Sequence, residues 1–251
     1  MFKLLDHNFD EIQLDNITPL DIEISSISKE KTQEESSLIG YREYGSISRD
    51  RDISITFLID NEHTRSYRKI RSDTYDLLGR YEYFYVVETY RPDVMYKVSA
   101  NESYTPERLN RSVASFEVAL DIYETPYGQT DKLIKFEDIA NTSFTVINEG
   151  HKLIHPFDPN VSLKITLSNF SGSAGLLRLT NELNNSETAI GGDLSVDDVV
   201  EIDGASIRIN DANAFNRSNQ RYLQISRGAN KVIVRGVESC HVKVEFRELY
   251  N

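Results

Sequence analysis

His151 and His155 are the first residues whose spacing could do chemistry, because four positions apart on a helix they would offer zinc two imidazoles from one face. Here no glutamate lies between them, Pro156 and Pro159 follow, and the segment reads as a loop, so ordinary surface histidines are expected. Asp193, Asp197, Asp198 and Asp203 gather carboxylates of the kind calcium accepts, but they lack the spacing and closing glutamate of an EF-hand loop. A solvated acidic face is expected there. The chain carries no GxSxG elbow, no Walker loop and no GxGxxG fingerprint. Carboxylate pairs for glycoside hydrolysis can come from distant positions, and nothing selects one pair. Cys240 is the only cysteine, so an intramolecular disulfide is impossible, and its strand-like setting suits a small buried residue. The sequence therefore nominates no catalytic residue, no cofactor and no metal.

A sugar site on a β-sandwich would need an aromatic platform. The chain has no tryptophan, and from residue 131 until its last two residues its one tyrosine is Tyr222. A structural role for that half is expected. The net charge is −12. Residues 1–130 hold 15 Lys and Arg against 24 Asp and Glu, and residues 131–251 hold 13 against 16. An acidic surface repels a phosphate backbone, so nucleic acid is not the expected ligand. No apolar run approaches a membrane span and the N-terminus lacks a signal-type apolar core, which implies a soluble protein made in a cytoplasm.

The elements that must carry these residues are mostly strands. Residues 94–128 organise the first half: Val94, Tyr96 and Val98 alternate with polar neighbours, as do Phe116, Val118, Leu120 and Ile122, and a polar segment with Pro106 joins them. This predicts a hairpin closed by Pro126 and Gly128. Upstream, Phe2 to Leu5, Glu11 to Leu14, Asp21 to Ser28 and Ile47 to Ile59 read as strands, the last through Ile53, Ile55, Phe57 and Ile59. Residues 62–78 predict the one helix, capped at Asp60 and Asn61 and closed by Gly79. Tyr81 to Glu88 is a further strand. A linker at about 129–138 leads to an all-β second half. Its turn signals recur every 8–12 residues, at 148–150, 171–175, 191–192, 203–204 and 227–230, a rhythm that suits a sandwich or jelly roll.

Residues 29–45 begin charged and end amphipathic, with Leu38, Ile39, Tyr41 and Tyr44 among polar neighbours. Composition makes the first part a loop. Tyrosine contributes apolar area and a polar tip at low entropic cost, so these four residues are the candidate contacts to a second subunit.

Taken in order, these pieces resemble the distal tail proteins of phages with long, non-contractile tails, and the resemblance covers essentially the whole chain. In the first half it rests on the Arg-containing start Ser48 to Arg51 before the Ile53 to Ile59 strand, the helix end Tyr75 to Leu78, the Pro92-Asp93 turn with Tyr96 and Val98, and Pro126-Tyr127. In the second half it rests on Val146 to Gly150 with Pro156, Leu179 to Asn181, Asp203-Gly204, Gly228 to Asn230 and the last strand, Val242 to Phe246. The resemblance implies a mainly β protein. Residues 1–130 would be a ring-forming β-sandwich with one helix, and residues 131–251 a galectin-like β-sandwich of jelly-roll type. It implies a structural hub and not an enzyme: a homohexameric ring in the virion's tail tip. That ring would join the tail-tube protein to the tail-tip protein and leave a channel through which DNA passes unbound. In some members the outer domains hold a receptor-binding protein. The alternatives are a tail-tube or neck protein of the same kind of particle, or a carbohydrate-binding adhesin.

Overall fold

The structure is a computed structural model that describes residues 2–36, 40–48, 50–60, 67–110, 113–158, 161–172 and 175–251. The chain divides into two compact units, Met1–Gly128 with Asn251, and Gln129–Tyr250.

The first unit contains β1 (Phe2–Leu5), β2 (Ile17–Ile24), β3 (Lys29–Ser36), β4 (Gly40–Ser48), β5 (Ile53–Asp60), α1 (Tyr67–Gly79), β6 (Phe84–Glu88), β7 (Val94–Ser99), β8 (Glu107–Arg108) and β9 (Val113–Ile122). Six of these strands run in the order β1-β6-β7-β9-β5-β2, all pairs antiparallel. The centre is β5 on β9. Strict alternation puts Ile53, Ile55, Phe57 and Ile59 on one face, and their partners across the ladder are Leu120, Val118, Phe116 and Ala114. All eight are buried. Cross-strand pairs are the stabilising unit of a sheet, and here each facing pair is apolar, with small Ala114 opposite Ile59. Strand β2 lies at the sheet edge, where Pro19 costs no ladder bond, and a bulge at Leu20 leaves that side chain exposed.

The described helix is Tyr67–Gly79, and residues 62–66 of the expected helix lie outside the described residues, as does the expected cap at Asn61. Gly79 is the last helical residue and is not left-handed, so it is not the terminating glycine the sequence suggests. The expected hairpin of residues 94–128 is mostly open. Strands β7 and β9 pair only at Val98 with Ile122 and Ser99 with Asp121, because β9 gives the rest of its length to β5. Met95 is buried along with Val94 and Tyr96, so β7 is covered on both faces, not one. The connecting segment also contributes structure. Tyr104 donates its hydroxyl to the Thr74 carbonyl at 3.2 Å, meets Tyr75 edge-on and stacks on Phe116 at 5.3 Å. Phe116 stacks on Phe57, and Phe57 meets Phe2 edge-on. A column of rings thus ties the helix to the sheet. Burial pushes the Tyr104 hydroxyl up to about 12. Glu11 to Leu14 forms no strand and contributes one bridge, Glu11 to Leu5.

The second unit is entered through β10 (Gly128–Thr130) and continues with β11 (Ile134–Ala140), β12 (Ser143–Asn148), β13 (Leu163–Ser171), β14 (Leu176–Asn181), β15 (Glu187–Gly191), β16 (Val200–Asp203), β17 (Ser206–Ile209), β18 (Ala212–Asn213), β19 (Gly228–Arg235), β20 (Ser239–Phe246) and β21 (Leu249–Tyr250). One sheet has the order β11-β20-β13-β16-β17-β18 and the other β12-β19-β14-β15. Alternation buries Leu163, Ile165 and Leu167 with Val242, Val244 and Phe246 on the first sheet, and Val146, Leu179, Val232 and Val234 on the second. The rings of Phe136 and Phe144 stack at 5.0 Å between β11 and β12. This is a β-sandwich. Much of the expected linker at 129–138 is strand β11, a charged edge strand whose Glu137 and Asp138 suit an outer rim. Tyr222 to Ile225 form no strand and contribute a bridge from Ile225 to Ile154. Gly204 opens the two-residue turn between β16 and β17 at φ 54°, a conformation that favours glycine.

Phe57 is the ring with partners on two strands, and it is 1% exposed. Phe57→Ala is expected to cost about 3–5 kcal/mol, read as a lower urea midpoint for the first unit with the second unit's transition unmoved.

Candidate functional site

The residues singled out for chemistry do not converge. His151 lies edge-on to Tyr250, and His155 accepts the Phe157 amide on its own Nδ1 at 3.1 Å. Asp198 is a loop staple: its carboxylate accepts the Ser195 amide at 2.6 Å and the Asn210 side-chain amide at 2.6 Å, and those bonds hold its carboxyl below the usual range. No group of three metal-ligating side chains occurs among the described residues, and no described helix is long and apolar enough to cross a membrane. Cys240 is 1% exposed on β20, and burial pushes its thiol up to about 11, which keeps it protonated and unreactive at neutral pH. Tyr222 is no free platform, since its hydroxyl donates to the Ala205 carbonyl at 2.7 Å and Phe157 covers it edge-on.

Residues 29–36 and 40–45 are strand and not loop. β3 and β4 form an antiparallel ribbon from Lys29 opposite Ser48 to Ser36 opposite Gly40. It arises because this ladder continues the pairing of β2 with β5. Ile24 faces Ile53, Ser25 and Asp52 then exchange bonds of 2.9 and 2.8 Å, Ser28 and Asp50 bonds of 2.8 and 3.0 Å, and Lys29 follows opposite Ser48. The serine hydroxyls accept the Asp52 and Asp50 amides where the two backbones part. The ribbon is therefore an arm grown from the core sheet. β3 has 8 residues, a reach of ~27 Å at strand rise. Among the described residues the arm pairs with no other strand. Of the expected contact residues, Leu38 and Ile39 lie outside the described residues. Tyr41 stands opposite Glu35, and Tyr44 is the extra residue of a bulge between the Thr32 and Gln33 pairs.

In the second unit the turn residues are held by three asparagines, each 0% exposed. Asn148 donates to the Lys152 carbonyl at 2.9 Å and accepts the Gly150 amide at 3.0 Å. Asn181 donates to the Gln224 carbonyl at 2.8 Å and to the Asn230 side-chain oxygen at 2.9 Å. Asn230 in turn donates to the Ser226 carbonyl at 2.7 Å and accepts the Ser226 amide at 2.8 Å. The segment 224–226, which belongs to no strand, is thereby pinned to β14 and β19.

Comparison with known proteins decides the family. Residues 7–122 match the phage tail protein RIFT-related domain, and residues 158–250 match the siphovirus-type tail component, C-terminal domain. The chain also aligns over 98% of its length, and 99% of the other, with the solved SPP1 Dit (gp 19.1) protein, described as a paradigm of the hub adsorption apparatus in phages that infect Gram-positive bacteria. That match has a TM-score of 0.68 at 12% identity. This chain belongs to the siphophage distal tail proteins. As a distal tail protein it is a structural component of the phage tail. Two solved structures of the phage p2 baseplate in its activated conformation, with Sr and with Ca, align over 97% of both chains at 9% identity, with TM-scores of 0.45 and 0.46. Among curated proteins there is no match. The motifs at Asn148, Asn181 and Asn230 that carry the sequence resemblance are the three buried asparagines, so what they specify in this distal tail protein is turn geometry and not a ligand site. Sequence reasoning missed Arg51, the one buried arginine among the described residues, and the exposed ring of Phe157. An arginine within a charged turn gives no sign of its burial.

Asn230→Ala leaves the Ser226 groups and the Asn181 side chain short of partners. It is expected to destabilise the second unit by about 2–4 kcal/mol, while Asn230→Asp, which keeps the acceptor and loses the donor, recovers part of it; thermal unfolding of both variants checks this.

Proposed function

We propose that this distal tail protein assembles into a homohexameric ring in the virion's tail tip, made from subunits synthesised in the host cytoplasm. The first unit, taken as residues 1–130, lines a channel, and the sandwich of residues 131–251, galectin-like in plan, projects outward. The ring joins the tail-tube protein on one side to the tail-tip protein on the other, and the outer sandwich offers a seat for a receptor-binding protein. DNA passes through the channel unbound. The protein has no enzymatic role and needs no cofactor or metal.

The observation that carries the ring is the arm. An isolated two-stranded ribbon is marginally stable in water, so a hairpin that pairs with no other strand among the described residues gains from packing on another surface. A ribbon of ~27 Å crosses to a neighbouring subunit, and Leu38, Ile39, Tyr41 and Tyr44 supply the contact. The channel is supported by charge. The excess of 24 acidic over 15 basic residues in the first 130 repels a phosphate backbone, once per subunit around the ring.

Native mass spectrometry of the purified protein, alone and with the neighbouring tail proteins, is expected to show a hexamer; a monomer under every condition would refute the ring. The triple change Leu38→Ser, Tyr41→Ser, Tyr44→Ser is expected to dissociate the ring while each subunit keeps its circular-dichroism spectrum. A ring that survives, or a subunit that unfolds, would place these residues inside their own subunit.

A further inference from the structure

Arg51 stands between the arm and the core sheet. It is 5% exposed, and its Nε and Nη1 have no hydrogen-bond partner. Buried polar groups are almost always paired, and a buried unpaired charge costs several kcal/mol. Its one described interaction is the ring of Tyr96, 5.3 Å from the guanidinium carbon. The residue lines a cavity of about 660 Å³ at the arm's root, bounded by the edge strand β2 through Ile22 and Ile24. Three basic side chains line this cavity, Lys29, Arg51 and Arg91, with Glu88 as its acidic side chain and Asn251 also on its wall. That carboxylate is engaged elsewhere, since Glu88 accepts the Tyr90 hydroxyl at 2.6 Å, a bond that raises the Tyr90 hydroxyl above its usual range. A basic cavity with a buried guanidinium, two of its nitrogens unpaired, is thus built into a chain whose net charge is −12.

We propose that Arg51 is a socket for a carboxylate of a second copy of this chain, seated when the ring closes. The inference rests on the ring reading above. A guanidinium fork matches a carboxylate's two oxygens, and the bond is strongest where water is excluded. A second copy is the occupant for two reasons. Its surface is rich in the required group, with 40 Asp and Glu in the chain. The cavity also opens beside the arm through Lys29, and the arm pairs with no other strand among the described residues, so the same approach that covers the arm brings an acidic side chain to Arg51. The isolated subunit is then the strained state, and assembly relieves it.

This makes an unusual demand on the test. Replacing an arginine that supports its own subunit destabilises the subunit. Replacing one that waits unpaired removes a buried charge and leaves the subunit as stable as before, or more so. Arg51→Met is therefore expected to keep or raise the thermal midpoint of the dissociated subunit and to weaken ring formation at least about tenfold, read by sedimentation across a concentration series. Arg51→Lys, which keeps the charge and loses the fork, is expected to fold normally and to assemble less well than the wild type. If Arg51→Met assembles like the wild type, the socket is wrong while the ring stands. If Arg51→Met fails to fold, Arg51→Lys decides by the same measurement, and assembly equal to the wild type overturns the proposal. If the wild type binds a short DNA duplex and Arg51→Met loses that binding with its ring intact, the site reads phosphate and the proposal also fails. A wild type that never associates removes the ring reading and this occupant together.

Discussion

The stack of Phe57 on Phe116 is the contact on which the first unit depends. These rings face each other across the β5–β9 ladder, so their register fixes which residues of both strands are buried. From there the packing spreads in two directions. Tyr104 carries it to the helix through Thr74 and Tyr75, and Phe2 carries it to the opposite edge of the sheet. A segment that connects two strands thereby anchors the one described helix, and the sheet needs no covalent staple.

The arm inherits its geometry from this same ladder. The β2–β5 and β3–β4 pairings are joined through Ser25 and Ser28, whose hydroxyls accept the Asp52 and Asp50 amides. The core therefore aims the arm. Arg51 sits in that seam, next to the two aspartates whose backbones hold it closed. An assembly contact there would be read directly by the central strand, since β5 starts two residues later at Ile53.

Much of this was legible in the sequence, and the failures have physical causes. Period-two patterns over Ile53 to Ile59 and Leu163 to Leu167 mark strands buried on one face, and both are found. The charge-rich residues 29–36 carry no such pattern, because charged and polar residues at every position leave no apolar alternation to mark a strand. Strand β11 was hidden for a related reason, as an edge strand with Glu137 and Asp138 among its residues reads as linker. The hairpin of residues 94–128 was misjudged because alternation identifies a strand but not its neighbour, and β9 takes β5 in preference to β7. In the second unit, the turn motifs were visible while their purpose was not. Asn148, Asn181 and Asn230 look like turn residues, and only their burial shows that they hold the 224–226 segment in place.

The bulge at Tyr44 has a consequence for how this arm can change over evolutionary time. Side chains alternate between the two faces of a ribbon, so losing or gaining one residue in either strand turns every residue beyond it to the other face. Lengthening or shortening is neutral for the faces only in steps of two. A single-residue change survives if a bulge absorbs it, and the arm already carries one where Thr32 and Gln33 stand opposite Gly45 and Glu43. Tyr44 thus marks a place where the register shifts, and relatives whose arms differ by one residue are expected to differ by gaining or losing that bulge, with the faces beyond it unchanged.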